Sequence, residues 1–209
     1  MNETQALYDY APLLQLMLLG ATIALGPLAW VAWRSRGGAR GKRLQALMVL
    51  TLFLTFDLVM FGAFTRLTDS GLGCPDWPGC YGNASPIGAR EEISAAQDAM
   101  PTGPVTHGKA WVEMIHRYLA SAVGVLIIAI NVGVWRQKRQ WQREGRTGDE
   151  PLHPGWAVAT LVWVCLQGVF GAWTVTMKLF PAIVTLHLIG GLVLLALLCA
   201  QAVRQVRTV

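Results

Sequence analysis

Charged side chains are scarce in this sequence. Asp, Glu, Lys and Arg make up 14% of its 209 residues, where soluble domains carry about 25%. Five apolar stretches contain very few of them, at residues 13–33, 44–64, 112–135, 156–177 and 182–203. Each stretch can cross a bilayer core, which takes about 20 residues. The composition therefore excludes an ordinary soluble domain and predicts an all-α polytopic membrane protein with five transmembrane helices.

The first apolar stretch lacks the features of a signal peptide. Acidic residues, Glu3 and Asp9, precede it where a signal peptide would be basic, and no small-residue cleavage site follows it. We therefore expect residues 13–33 to form a permanent span.

The positive charges are concentrated in connections between spans. Residues 34–43 and 136–146 and the C-terminus are basic, whereas the N-terminus and the long connection after the second span are mostly acidic. Lys and Arg are enriched in cytoplasmic loops, so the N-terminus is predicted outside and the C-terminus inside. Because topology explains the net charge of +5, we expect membrane lipid as a partner and no nucleic acid.

Two histidines, His116 and His187, lie near the outer ends of the third and fifth spans. Ionisable residues inside membrane spans are rare and usually functional, and imidazoles on two helices of a bundle can hold a haem iron between them. The plainer interpretation is a histidine that only hydrogen-bonds across helices or sits at the interface. The matched depth of the pair favours haem-iron ligands.

Other polar residues lie close to this pair in the sequence. Glu113 precedes His116 by one turn. It could orient the imidazole, accept a proton, hydrogen-bond a substrate, or pair with Arg117 or Lys109. Arg66 and Arg117 could bind haem propionates or anchor their helices at the interface. The role of Asp57, within the second span, stays open between a protonated or hydrogen-bonded structural group and a functional one.

The long outer connection contains a close pair of cysteines, Cys74 and Cys80. On the oxidising side of a membrane they favour a disulfide, which could be a structural staple or a redox-active pair. Cys165 and Cys199 lie inside spans and are predicted to be buried apolar residues. Within the same connection, residues 90–100 are predicted to form a short helix, and Thr106 to cap the next span.

Three motifs carry a family resemblance. The stretch Gly62–Cys80, reading GAFTRLTDSGLGCPDWPGC, is the first, and EMIHR at residues 113–117 is the second. The third combines LQGVFGA at residues 166–172 with Pro181 and TLHL at residues 185–188. In this order, and with this topology, the chain resembles the haem A synthase family. The resemblance covers about residues 44–203.

The resemblance implies an oxidoreductase of the bacterial cytoplasmic (inner) membrane. It would convert the C8 methyl of haem O to the formyl of haem A, a cofactor of haem–copper oxidases. Expected partners are the enzyme that supplies haem O and the oxidase assembly machinery. His116 and His187 match the iron-ligand pair of the N-terminal bundle, Glu113 the catalytic glutamate, and Cys74 and Cys80 the outer-loop disulfide pair.

The sequence also departs from the family. Residues 1–43 would form an additional helix and cytoplasmic loop, residues 44–209 a four-helix haem-binding bundle, and residues 67–111 its outer loop. No second bundle with haem b histidines follows in this sequence. We therefore expect a homo-oligomer, a separate C-terminal half, or a truncated form that binds a haem but lacks its redox partner. Two alternatives stay open: a non-catalytic bis-histidine haem or electron-transfer protein, and a thiol–disulfide oxidoreductase using Cys74 and Cys80.

Overall fold

The computed structural model describes residues 11–38, 40–145, 147 and 151–206. Glu3, Asp9, Arg146 and Arg207, which contributed to the predicted orientation, lie outside these ranges. The described chain is helical, with elements α1 (Ala11–Arg34), α2 (Arg40–Leu67), α3 (Arg90–Ala99), α4 (His107–Arg143), α5 (Pro154–Thr176) and α6 (Pro181–Val206). All but α3 are long and apolar enough to cross a membrane, which confirms the predicted fold class.

Four of these helices form a closed ring. Helix α2 packs against α4, α4 against α5, α5 against α6, and α6 against α2. Across the described ranges no close backbone contact joins α4 to α6 or α2 to α5, so these are the diagonal pairs of a four-helix bundle. Each connection joins two spans at the same end of the bundle, so consecutive spans are antiparallel.

The two ends of the bundle differ in chemistry. The acidic connection between α2 and α4 and the α5–α6 turn meet at one end, which we call the loop end. Gly71 of the connection lies against Leu179 of the turn, and a Cβ on Gly71 would be 3.1 Å from Leu179 Cδ2. The opposite, basic end carries the arginines of the α1–α2 turn and the last turns of α4. The hydrophobic core fills this basic half, from Ala122 on α4 and Leu194 on α6 onward.

Polar side chains inside the basic half bond to helix backbone, although Gln201 Oε1 is buried without a hydrogen-bond partner among the described residues. Asn131 of α4 donates to the carbonyl of Ala157 on α5 at 3.0 Å, and Gln201 of α6 donates to the carbonyl of Trp156 at 3.0 Å. A membrane interior offers no water for such groups. These bonds therefore lock α5 between α4 and α6.

Helix α1 lies outside the ring and packs mainly along α4, with a smaller contact to α2. Its approach to α4 depends on a glycine: a Cβ on Gly20 would overlap the side chain of Ser121. The first turns of α1 also reach the loop end, where Leu16 is buried with both cysteines of the disulfide. The additional span thus covers one side of the outer loop.

Three details of the sequence interpretation need adjustment. Helix α4 begins at His107 and continues to Arg143, so part of the predicted loops at both ends is helical. Cys165 and Cys199 are exposed on the bundle surface, so their predicted burial was wrong. Hydropathy cannot assign the face of a residue in a membrane span, because lipid accepts apolar side chains as readily as a protein core does. Asp57 is likewise exposed, on the outer surface of α2. Its neighbour Thr55 donates to the carbonyl of Thr51 and not to Asp57.

Replacing Gly20 by Val is expected to separate α1 from α4 and lower the thermal unfolding temperature of the detergent-purified protein. Gly168→Val, on α5, is the matched control, because a Cβ there meets nothing within 4 Å and no proline follows it. Overpacking typically costs about 1–3 kcal/mol. Equal unfolding temperatures for the two variants would contradict the close α1–α4 contact.

Candidate functional site

His116 and His187 face the same interior space from diagonal helices. His116 is on α4 and His187 on α6, and their imidazoles lie close enough for charges on them to interact. The Nδ1 atoms of both rings are buried and have no hydrogen-bond partner among the described residues, and neither Nε2 atom makes a hydrogen bond there. Imidazoles without partners inside a membrane bundle are expensive. The arrangement therefore suits a ligand that binds between them.

Each imidazole is bordered by a glycine of the neighbouring helix. A Cβ on Gly62 of α2 would lie 3.0 Å from His116 Cε1, and a Cβ on Gly171 of α5 would lie 3.5 Å from His187 Cε1. Phe61 stacks on His116, with ring centroids 6.2 Å apart and planes inclined by 17°. A Cβ on Gly62 would therefore crowd the His116 imidazole, whereas one on Gly171 would be in van der Waals contact with the His187 imidazole.

These glycines were missed by the sequence interpretation, although an internal repeat marks them. Residues 61–65 read FGAFT, and residues 170–174 read FGAWT. Each copy precedes a helix that carries one of the histidines. The repeat indicates that the α2–α4 and α5–α6 pairs present glycine and imidazole in the same way.

The interior around the histidines is not filled by the hydrophobic core. That core begins about two turns further toward the basic end on both histidine helices. A second, smaller cluster packs under the outer loop, where Met114 and Tyr118 of α4 meet Leu16 of α1. Along α4, His116 comes between Met114 and Tyr118 of this cluster and before the core that begins at Ala122. Two small residues, Gly190 and Gly191, follow His187 on α6.

Glu113 and Arg117 form a buried ion pair beneath the outer loop. Arg117 Nη2 lies 2.5 Å from Glu113 Oε1, and 4% of Glu113 and 8% of Arg117 are exposed. Glu113 Oε2 also accepts a hydrogen bond from the backbone N–H of Cys74, at 2.8 Å. Both carboxylate oxygens are thus engaged, and neither bonds to His116. The interpretation that Glu113 orients that imidazole is wrong.

The same arginine fixes the far side of the disulfide loop. Arg117 Nη1 donates to the carbonyls of Pro78 at 3.1 Å and Gly79 at 2.5 Å. Cys74 and Cys80 form the expected disulfide, and both cysteines are fully buried. Redox-active disulfides need access for an attacking thiolate. The burial therefore favours the structural staple.

The loop lies directly on α4. Gly73 is so close to Lys109 that a Cβ would overlap the backbone of α4, and Tyr118 donates to the carbonyl of Ala84 at 2.7 Å. Asp76 closes the loop by accepting from the backbone N–H groups of Tyr81 and Gly82, at 2.6 and 2.7 Å. Desolvation raises the pKa of the Tyr81 phenol, and the nearby Asp76 carboxylate adds to that rise.

The two arginine candidates for propionates differ in their surroundings. Arg117 already donates to Glu113 and to loop carbonyls. Arg66 is exposed at the loop end of α2, and its side chain makes no hydrogen bond or ion pair within the described ranges. Arg66 is therefore the arginine with donors available for an anionic group.

Comparisons with known proteins agree with these motifs. Residues 45–208 match the family described as cytochrome oxidase assembly protein. The chain belongs to this family. It is 42% identical over 156 residues to a heme A synthase of Shewanella oneidensis, a match that covers 75% of this chain and 44% of the relative. A heme A synthase of Lysinibacillus sphaericus is 28% identical over 159 residues, covering 76% of this chain and 44% of the relative.

The matches leave part of each relative uncovered. The chain spans about 44% of the length of these two family members. No solved structure matches it. Helix α1 lies before the part of the chain that matches the family.

Replacing Arg117 by Ala should strongly destabilise the protein, because Glu113 would be left buried without its cation. Breaking a buried ion pair typically costs about 3–5 kcal/mol. Arg66→Ala is the control: it removes an exposed arginine and should change unfolding by less than about 0.5 kcal/mol. The measurement is the free energy of unfolding in detergent. A similar small effect for both variants would show that the ion pair does not secure the loop.

Proposed function

We propose that this chain is the haem O-binding half of a haem A synthase, an oxidoreductase of the bacterial cytoplasmic membrane. The observation that carries the proposal is the pair of unpartnered imidazoles on diagonal helices, each beside a glycine. Neutral imidazoles are common axial ligands of haem iron. The 42% identity to a heme A synthase over this same region supports haem O as the substrate.

In this proposal, each residue has a defined task. His116 and His187 hold the iron of haem O, and the exposed Arg66 binds a propionate at the loop end. Arg117 stays a candidate for the second propionate, in addition to its contacts with the loop. Glu113, one turn from His116, accepts a proton as the C8 methyl is oxidised. Because its oxygens already bond to Arg117 and Cys74, proton uptake would weaken the loop contacts.

The reaction needs an electron acceptor. With water as the source of the oxygen atom, oxidation of a methyl to a formyl group consumes one water and releases four electrons and four protons. A haem b, held by a second copy of this chain or by a separate C-terminal half, would accept those electrons. The enzyme that supplies haem O and the haem–copper oxidase assembly machinery are the partners expected on either side of this step.

The proposed orientation places the loop end outside and the basic end in the cytoplasm. The α1–α2 turn and the last turns of α4 and α6 carry arginines, whereas the loop end carries Glu91, Glu92 and Asp98. This asymmetry follows the positive-inside rule. Disulfide formation between Cys74 and Cys80 is consistent with an oxidising outer compartment.

Replacing either His116 or His187 by Ala should abolish haem retention, because one axial ligand would be lost. The measurement is the Soret absorbance per chain after purification from haem-producing cells. His107→Ala is the control, since His107 lies at the first turn of α4 and bonds to Ser94 at 2.9 Å. An unchanged Soret band in both site variants would exclude the bundle as the haem site.

A second measurement separates the synthase from the alternatives. Haems extracted from cells that make haem O, with and without a C-terminal half from a relative, would be separated by chromatography. We expect haem A only when His116 and His187 are intact. Bound haem without any conversion would favour the non-catalytic haem or electron-transfer protein. Activity that is lost in Cys74→Ser but kept in the histidine variants would favour the thiol–disulfide oxidoreductase.

A further inference from the structure

Gln167 of α5 is a buried amide with no partner. Its side chain is 7% exposed, and Oε1 is buried without a hydrogen bond. Within the described ranges its amide nitrogen makes no hydrogen bond either. An unsatisfied amide in an apolar interior costs a substantial desolvation penalty. Such a residue is expected to bond to something that enters the site.

The amide lies one turn deeper in the bundle than His187. Gly171, which borders the His187 imidazole, is four residues further along α5 and on the same face as Gln167. The carboxamide itself packs on Gly190, where an added Cβ would overlap it. Gly190 is one turn beyond His187 on α6. One turn is about 5 Å, comparable with the distance from a haem iron to the rim of its porphyrin.

A second glutamine provides the comparison. Gln201 of α6 is also buried, and its Oε1 also lacks a hydrogen-bond partner among the described residues. Its amide nitrogen, however, donates to the carbonyl of Trp156 at 3.0 Å and to the hydroxyl of Thr160. Gln201 therefore ties α6 to α5 in the basic half. Gln167 has no such structural bond, so stability of the protein alone does not account for it.

We propose that Gln167 is a specificity residue that hydrogen-bonds an oxygen-bearing substituent on the rim of the bound haem. The inference rests on the proposed haem O site. Haem O carries a hydroxyl on its prenylated side chain, whereas haem b has a vinyl group there. The other source of such an oxygen is the group formed at C8. Either would satisfy an amide that haem b leaves unpaired, and an unpaired buried group disfavours the wrong ligand.

In the test, the full chain is purified without haem and titrated separately with haem b, haem O and haem A. The Soret band reports binding. Gln167→Leu should weaken haem O binding about five- to tenfold, the factor that one neutral hydrogen bond supplies, and leave haem b binding unchanged. A loss confined to haem A would also support the contact and assign it to the oxygen at C8. Gln167→Met provides a second, unbranched variant of similar length.

Gln201→Leu is the matched control. It should lower the unfolding temperature of the haem-free protein without changing the ratio of haem O to haem b affinity. Gln167→Leu should hold or raise that temperature, because it removes an unsatisfied polar group.

Three results would overturn the role of Gln167: equal losses for all three haems, no loss for any of them, or destabilisation of the haem-free protein like that in Gln201→Leu. If a buried water is the partner of the amide, the variant would show no loss of affinity for any haem. Failure of the proposed function is separate. It would appear as wild-type protein that binds no haem, or that binds haem equally well without His116 and His187.

Discussion

The buried ion pair of Glu113 and Arg117 is the contact on which the loop end depends. Two charges inside a low-dielectric bundle are tolerated only when their remaining donors and acceptors are used. Here the carboxylate accepts a hydrogen bond from the N–H of Cys74, and the guanidinium donates to the carbonyls of Pro78 and Gly79. The pair thereby holds both sides of the disulfide loop against α4, one turn from His116. The loop closes the end of the bundle where the histidines lie.

The two halves of the bundle have opposite packing. In the basic half, apolar side chains fill the interior, and the polar groups of Asn131 and Gln201 bond to helix backbone. Around the histidines, glycines border the imidazoles, and the imidazoles and Gln167 lack hydrogen-bond partners. The packed basic half therefore supports the loop end of the bundle, where polar groups are arranged for a bound molecule. The basic half also leaves single amide oxygens unpartnered, as at Gln201 Oε1, but there the amide nitrogen is bonded to the neighbouring helix. A cluster of side chains with no hydrogen bond at all is typical of a functional site.

Helix α1 and the disulfide loop also support one another. The loop has little secondary structure beyond α3, yet its cysteines are fully buried. Part of that burial comes from Leu16 of α1, and Gly79 lies near Pro12 at the start of that helix. The span that precedes the family match thus contributes directly to the shape of the outer loop. In the proposed assembly with a haem b half, α1 occupies one side of α4, leaving the outer faces of α2, α5 and α6 for contacts.

Hydropathy and motif order were sufficient to predict the five spans, the short helix α3, the Thr106 cap and the disulfide, because each depends on local composition or spacing. They also predicted that Glu113, His116 and His187 serve one site, and that assignment stays a prediction. Whether Cys165, Cys199 and Asp57 face the bundle interior or its surface could not be predicted, since a lipid-exposed helix surface is as apolar as a buried one. Only the tertiary structure decided that Glu113 and Arg117 bond to the loop, that α4 and α6 are diagonal, and that Gln167 is left without a partner. Those facts depend on which helices are neighbours, and helix neighbours are set by packing across the whole bundle.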